Sequence, residues 1–463
     1  MLTEGIVKDA ALESKFPETL IPEGFLTRKK PLFQRTVIFF KVQEALMSKK
    51  TIIFLTALTF LVLTSGSLLA QAPGAGQAPA PTVATPKAPE TTTKAPAAAP
   101  GAKMSKLEEA IAKTPQGKGK GQIDPAAAKG FMGIPGAPSP FWFFGILWGI
   151  WVGWIFSTVG AFGGIMAGVG HITVFGLADY GRAFKSSSPI LNKLLTDSIR
   201  TSNQYLVALS SLISSFTYYR MGRLVLPLGL AMAIGGIAGA YLIPVLTAGK
   251  ISLSAYIGYF GIIVLVIGCF LFYETTPQGQ AKKKEAKAAA TAFEDIHIRK
   301  CAVDSSGHAD CGVQVHHWGL TKIVFSFYGV EFSFNPIWPL VGGFIIAAIS
   351  AFIGVGGGFL YVPFCTSIVG LPMFVVAGTS ALAVFVSMIT SIFTFMFVKG
   401  TPIDFLFIGA ELIGIAVGSI VGPMTSKYIP DIWLKRLFVV LAVYVGVGYT
   451  TKGFLGYSIF PGM

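Results

Sequence analysis

Charge is scarce in this chain. Charged residues make up only 13% of the 463 residues, whereas hydrophobic residues make up 53% and phenylalanine occurs 38 times. The mean hydropathy is +0.66. This composition is typical of a polytopic membrane protein, so the lipid bilayer is the first expected partner. We interpret the formal net charge of +14 as lysine and arginine residues that flank membrane segments, and we expect no nucleic-acid partner.

Signatures of catalysis and nucleotide binding are also missing. The sequence contains no nucleophile triad, no phosphate-binding loop and no hydrolase signature, so we do not expect an enzyme. Because it has no ATP-binding motif, any transport would use an ion gradient or the gradient of the substrate itself.

Cysteine is scarce as well, with four residues in the chain. Two of them flank a histidine, in the order Cys301, His308 and Cys311. Thiolates and imidazoles are zinc ligands, so zinc is the one cofactor that the sequence suggests. The spacing matches no established zinc motif, and a plain loop is the alternative interpretation.

The first 140 residues differ from the rest of the chain. Two lysines after Met47, an apolar run over 51–63 and a small-residue end at Ala70 form the pattern of a signal peptide. We interpret 47–70 as that signal and 1–46 as an upstream extension; the alternative is a cytoplasmic tail with an uncleaved anchor. Residues 71–140 are rich in alanine and proline and predict a disordered linker.

Eight apolar segments follow, and a stretch of about 20 apolar residues is enough to span a bilayer. They cover 141–178, 203–219, 224–247, 252–273, 336–373, 375–398, 402–424 and 433–450. The first and fifth are nearly twice as long as one crossing needs. Residues 274–335 form a central soluble loop, in which 322–327 and 330–334 predict a β-hairpin. A short tail, 455–463, ends the chain.

Glycine clusters interrupt both long segments. Gly354-Val355-Gly356-Gly357-Gly358 has a counterpart in Gly160-Ala161-Phe162-Gly163-Gly164, and Thr379-Ser380 has a counterpart in Thr201-Ser202. The order of the following segments is also the same, so we interpret 141–273 and 336–454 as two homologous transmembrane repeats. Each helix-interior glycine costs about 1 kcal/mol against alanine. We therefore expect helix breaks that are buried in protein or line an aqueous cavity.

The second half carries a family resemblance. The run GVGGGFLYVPF, followed by GLP and GTSALAVFVSMITS, resembles the sulfite exporter TauE/SafE family over about Phe141 to Phe454. The resemblance implies an all-α permease in a bacterial inner membrane. Its substrate would be sulfite, an organosulfonate or another sulfur-containing anion. The first half departs from the pattern, because it lacks the Val-Pro pair and has Arg200 where the second half has Gly378.

Topology signals restrict the number of crossings. Lysines at 282–284 argue for a cytoplasmic central loop, whereas a signal peptide puts Phe141 outside. An odd number of crossings in the first half satisfies both signals. It results if each long segment makes two passes or a re-entrant hairpin, for up to ten passes in total. The two halves would then be inverted repeats.

These observations predict an anion site where the two breaks meet. Its expected residues are Gly160, Gly163, Gly164, Thr201, Ser202, Gly354, Gly356, Gly357, Gly358, Thr379 and Ser380. Glu411 and His171 lie inside apolar segments and are candidates for ion coupling. The alternatives are a protonated, hydrogen-bonded carboxyl group for Glu411 and an interfacial position for His171. The expected function is secondary transport of a small anion; the alternative is a non-transporting receptor or assembly factor that works through the central loop.

Overall fold

The computed structural model describes residues 105–159, 162–220, 222–281, 313–327, 330–371, 373–426 and 431–460. Its first-half helices are α1 (Lys106–Ala112), α2 (Trp142–Val159), α3 (Phe162–Val169), α4 (Leu177–Ala183), α5 (Pro189–Arg220), α6 (Leu226–Thr247) and α7 (Leu253–Thr275). Those of the second half are α8 (Ile337–Ile353), α9 (Gly358–Ser367), α10 (Met373–Phe393), α11 (Phe405–Ser426) and α12 (Asp431–Phe454). One-turn π-helices at Gly170–Val174 and Thr394–Val398 extend α3 and α10.

The fold is that of an α-helical polytopic membrane protein. Among the described residues, 5 helices are long and apolar enough to cross a membrane: Leu226–Thr247, Leu253–Thr275, Gly378–Val398, Phe405–Gly422 and Lys435–Phe454. Shorter apolar helices cover Trp142–Thr158, Gly163–Val174 and Ile337–Ile353.

Both long apolar segments reverse direction at their glycine clusters. In the first, Gly163 packs against Phe156 and Gly170 packs against Trp148, so α3 runs back along α2. In the second, α9 runs back along α8 in the same way. At 1.5 Å per residue, 162–174 extends about 20 Å, which is less than the roughly 30 Å of a hydrocarbon core. The returning helices are therefore too short to span the bilayer on their own.

Helix α5 begins earlier than the sequence predicted. It has 32 residues and starts at Pro189, whereas the apolar segment was expected to start at residue 203. Many polar side chains in its N-terminal half are buried: Asn192, Thr196, Asp197, Ser198, Arg200, Thr201, Ser202, Asn203 and Gln204 all lie inside the protein. An apolar run marks only surface that faces lipid, so a polar turn enclosed by other helices is missed.

Glycines set the contacts between the two halves. Gly149 of α2 lies on Glu411 of α11, and Gly153 lies four residues further on against Ile415, so these helices run parallel. Helices α6 and α8 pack in parallel by the same means. Small residues let the backbones approach closely, which is how helices associate where both sides are apolar.

Two other pairs run antiparallel. In α7 and α12, Gly258 packs on Phe454 and Gly268 packs on Ala442. In α5 and α10, Tyr205 hydrogen-bonds to the Met396 sulfur near one end, while Gly378 packs on Tyr218 at the other. Each of these pairs joins helices that hold the same position in the two halves.

The segment before the membrane helices is folded, which corrects the expectation of a disordered linker for residues 105–140. We call these residues the N-terminal strap. Helix α1 starts with a capping box between Ser105 and Glu108. Further on, Phe131 is buried edge-on against Phe407, with ring centroids 6.3 Å apart. The prediction failed because a few scattered apolar residues are enough to dock an alanine- and proline-rich chain on an existing helix bundle.

An antiparallel sheet with strand order β1-β2-β3 lies between the two halves in sequence. Strands β2 (Ile323–Phe327) and β3 (Val330–Phe334) coincide with the predicted hairpin, and β1 (Val313–Trp318) pairs with β2. The backbone amide of Val313 donates to Gly222, in the turn between α5 and α6, and so ties the sheet to the bundle.

Candidate functional site

The two glycine clusters meet inside the protein. A Cβ atom on Gly164 would lie 3.2 Å from the backbone carbonyl carbon of Val355, so α3 of the first half touches the break of the second. Gly354 adopts a left-handed conformation with φ of +80°, and a Cβ there would lie 2.7 Å from the carbonyl oxygen of Arg200. Only glycine combines this backbone geometry with such a close approach of α5.

The carbonyl groups at the end of α8 are satisfied by side chains of the first half. Ala351 accepts hydrogen bonds from Arg200 Nη2 at 3.3 Å and from Gln204 Nε2 at 3.2 Å. Ile353 accepts from the Tyr256 hydroxyl at 2.8 Å. These contacts meet the need of a broken helix for partners to replace its lost backbone hydrogen bonds.

The start of α9 is different. No side chain caps its N-terminus at Gly357, and a Cβ on Gly358 would have no atom within 4 Å. The first amide groups of a helix point outward along its axis and carry its positive dipole end. Beside them, the Ser350 hydroxyl is 2.6 Å from where a Cβ on Gly357 would lie. Within the described part of the chain, this hydroxyl is buried and has no hydrogen-bond partner.

Arg200 is a fully buried cation next to this break. It was not among the site residues predicted from the sequence. Its Nη1 lies 3.1 Å from Asp197 Oδ1, and its Nη2 donates to Thr247 Oγ1 at 3.1 Å. The guanidinium also lies over the rings of Phe352 and Phe395, 5.4 Å and 4.8 Å from their centroids. The Nε–H of Arg200 has no partner among the described residues.

A sequence signal for Arg200 did exist. Asp197 and Arg200 are spaced i, i+3, which puts opposite charges on one helix face next to an apolar segment. The first half also has Arg200 where the second half has Gly378, which draws attention to the same residue.

The predicted hydroxyl groups differ in what they can offer a ligand. Thr201 Oγ1 donates to the Asp197 carbonyl at 2.8 Å, and Thr379 Oγ1 donates to the Val375 carbonyl at 2.7 Å. Thr379 also accepts from the Val225 amide at the start of α6. Both hydroxyl hydrogens are therefore committed to backbone. Ser202 is buried without a hydrogen-bond partner in the described structure.

The remaining predicted residues have mixed placements. Ser380 is buried in α10. Gly163 packs against Phe156, and a Cβ on Gly356, where φ is +42°, would meet the Val207 side chain. Gly160, Cys301, His308 and Cys311 lie outside the described residues.

His171 and Glu411, which are far apart in sequence, are brought together. His171 lies in the π-helical turn after α3, and its Nε2 is 2.8 Å from Glu411 Oε2 of α11. Both side chains are fully buried. His171 Nδ1 also hydrogen-bonds to Asn203 Oδ1 of α5. The structure thus joins the two ion-coupling candidates in one contact beside the residues that line the break.

The model of the sulfite exporter TauE/SafE family matches residues 145–449, which are more than half of the chain. No curated protein and no solved structure matches the chain.

Proposed function

Because the chain belongs to the sulfite exporter TauE/SafE family, we propose that it is a secondary transporter of sulfite, an organosulfonate or a related sulfur-containing anion. The family consists of membrane transporters, so the chain is a multi-pass membrane protein that handles a small anion. We place it in a bacterial cytoplasmic membrane, with the N-terminal strap on the outer side as the predicted signal peptide requires.

We further propose that the two halves are inverted repeats. A twofold axis along the membrane normal would relate equivalent helices in parallel, whereas an axis in the membrane plane relates them antiparallel. The equivalent pairs α7 with α12 and α5 with α10 are antiparallel, and the reciprocal pairs α2 with α11 and α8 with α6 are parallel. An in-plane axis accounts for both sets, which supports this proposal. Gly222 and Gly400, equivalent turn residues, share a φ of 66°.

The observation that carries the anion site is the open, uncapped N-terminus of α9 at Gly358, next to buried donors that have no partner among the described residues. Free backbone amides and a helix dipole attract an anion and need no charged side chain. Ser350 of α8 contributes a hydroxyl donor beside this end, and Arg200 contributes a guanidinium whose charge Asp197 offsets. A dipole-based site of this kind binds an oxyanion without holding it permanently, as transport demands.

Gly358→Ala is the sharpest test of this site. The added methyl group would meet no atom within 4 Å, and alanine favours the helix, so the protein should fold normally. Its methyl group would occupy the space where the anion approaches the amides. The loss of one hydrogen bond to a charged group costs roughly 1.5–3 kcal/mol, or about one to two decades in affinity. We expect radiolabelled sulfite flux into proteoliposomes to fall by at least about tenfold.

Gly409→Ala is the matched control, because a Cβ on this glycine of α11 also has no atom within 4 Å. It should transport at the wild-type rate. Full flux in folded Gly358→Ala protein would contradict the site. A wild-type protein that moves neither sulfite nor an organosulfonate would contradict the function itself.

A further inference from the structure

The tautomer of His171 follows from a directed chain of hydrogen bonds. The hydroxyl of Tyr256 donates to the Ile353 carbonyl at 2.8 Å, so its oxygen is left to accept from Asn203 Nδ2 at 3.5 Å. The amide of Asn203 then presents Oδ1 to His171, and an amide oxygen can only accept. His171 Nδ1 therefore carries a hydrogen.

This assignment fixes what lies between His171 and Glu411. In a neutral ring protonated at Nδ1, the Nε2 atom has only a lone pair. A carboxylate oxygen 2.8 Å away would set one lone pair against another. The contact therefore requires one proton between Nε2 and Oε2, whichever atom it is bonded to. The other carboxyl oxygen, Oε1, is buried and has no hydrogen-bond partner within the described part of the protein.

In these buried surroundings, this proton determines the net charge of the His171–Glu411 pair. With it, the pair is neutral overall; without it, a carboxylate is left in a fully buried site, which is strongly unfavourable. The rings of Phe175 and Phe407 lie 6.2 Å and 5.7 Å from the His171 ring. The proton can therefore leave only when a conformational change brings water to the pair.

Few other titratable groups face the pair. Helix α2, which packs against α11, has none along its length. Tyr256 of α7 is reached through Asn203, and Tyr449 of α12 bonds to Thr173 in the π-helical turn at 2.6 Å. On α5, Asp197 and Arg200 pair with each other, and Tyr205 hydrogen-bonds to Met396. On the remaining packed elements, Asp179, Tyr180 and Arg182 lie on α4, and Asp404 precedes α11.

We propose that the His171–Glu411 pair is the binding site of one proton whose uptake and release are obligatory in the transport cycle. The hydrogen-bond chain runs from Glu411 through His171, Asn203 and Tyr256 to Ile353. Ile353 is the last residue before the Gly354 break. Release of the proton breaks this hydrogen-bond chain at Glu411, and movement of the glycine break disrupts it at Ile353. The inference rests on the proposed transport function and names its coupling ion.

The test uses sulfite in proteoliposomes in two assays, with protein-free vesicles subtracted. Exchange of labelled for unlabelled sulfite at equal pH on both sides reports transport alone. Accumulation of sulfite under an imposed pH gradient reports proton coupling. Wild type should perform both, whereas Glu411→Gln, which cannot release a proton, should retain exchange and lose at least about tenfold of the accumulation. As a control, Glu274→Gln removes a carboxylate that pairs with Lys435 and lies outside this hydrogen-bond chain. It should behave as wild type.

The outcomes separate the two proposals. A wild type without exchange would remove the transport function. A wild type that exchanges sulfite but ignores the pH gradient, or a Glu411→Gln protein that still responds to it, would overturn the proton site. If Glu411→Gln does not fold, infrared titration of wild type decides. A protonated carboxyl band or an imidazolium band that disappears at alkaline pH and shifts in Asn203→Ala supports the site, and the absence of both bands overturns it.

Discussion

The glycines of the two breaks have different physical roles. Gly354 is required by its left-handed backbone and by the carbonyl of Arg200, whereas Gly358 has open space beside it and no positive φ. Sequence reasoning treats both as site residues because both interrupt an apolar run. In the structure, Gly354 lets the chain reverse, and Gly358 leaves room at a helix end. Substitutions at Gly354 therefore test folding, and substitutions at Gly358 test the proposed anion site.

Arg200 and Asp197 form the buried charge pair that supports the break. Removal of one partner leaves the other as an uncompensated buried charge, at a cost of about 3–5 kcal/mol. We expect Arg200→Met to lower the midpoint of thermal unfolding of the purified protein strongly. The double variant Arg200→Met with Asp197→Asn should recover much of this loss, because it removes both charges together.

The same double-mutant cycle also distinguishes a structural role of Arg200 at the break from a role in binding the anion. If Arg200 has only a structural role, the double variant should regain sulfite exchange together with stability. If its guanidinium also contacts the anion, stability should return while exchange stays low. Equal stability of wild type and Arg200→Met would contradict the buried ion pair.

At the level of elements, the N-terminal strap is held to the helices by buried apolar side chains and by specific hydrogen bonds. Asp404, just before α11, accepts from the Met132 amide at 2.9 Å and from the Phe407 amide at 3.1 Å. Met132 has a φ of 57°, unusual for a residue with a side chain, so its conformation depends on such partners. Thr114 adds a hydrogen bond to Ser188 at 2.8 Å.

Asp404→Ala should therefore loosen the strap. Loss of a capping acceptor costs about 1 kcal/mol, which raises the population of the undocked strap about fivefold. Limited trypsin digestion should cleave faster at the lysines between Lys113 and Lys129, while the unfolding midpoint of the helix bundle changes little. Asp404→Asn keeps one acceptor oxygen and should be cleaved at an intermediate rate. Unchanged cleavage in Asp404→Ala would mean that the strap is held by packing alone.

At the level of the whole molecule, the proposed inverted repeats make a topological prediction. The strap, the α6–α7 turn and the end of α12 should lie on one side of the membrane, and the three-stranded sheet on the other. Single cysteines at Lys250, Tyr457 and Glu331, all exposed, should be introduced into a chain without its four native cysteines.

A membrane-impermeant thiol reagent applied to right-side-out vesicles should label positions 250 and 457 alike and leave 331 unlabelled. Permeabilised vesicles should then expose 331, which serves as the internal control. Labelling of 250 and 457 from opposite sides would contradict the inverted repeats.

The sequence by itself determined the properties that depend on local composition. Low charge and long apolar runs predicted the membrane helices, because lipid exposure leaves a continuous apolar signal. Two glycine clusters predicted the breaks, since glycine weakens a helix wherever it occurs. The run from Gly354 to Gly400 was specific enough to indicate the family.

Only the tertiary structure decided which polar groups share one environment. His171 and Glu411 lie 240 positions apart, and no periodic pattern connects residues on separate helices. The polar start of α5 looked like a loop because a sequence does not record that other helices enclose it. The docking of the strap was hidden for the same reason: burial depends on the partner surface, and a partner surface exists only once the chain has folded.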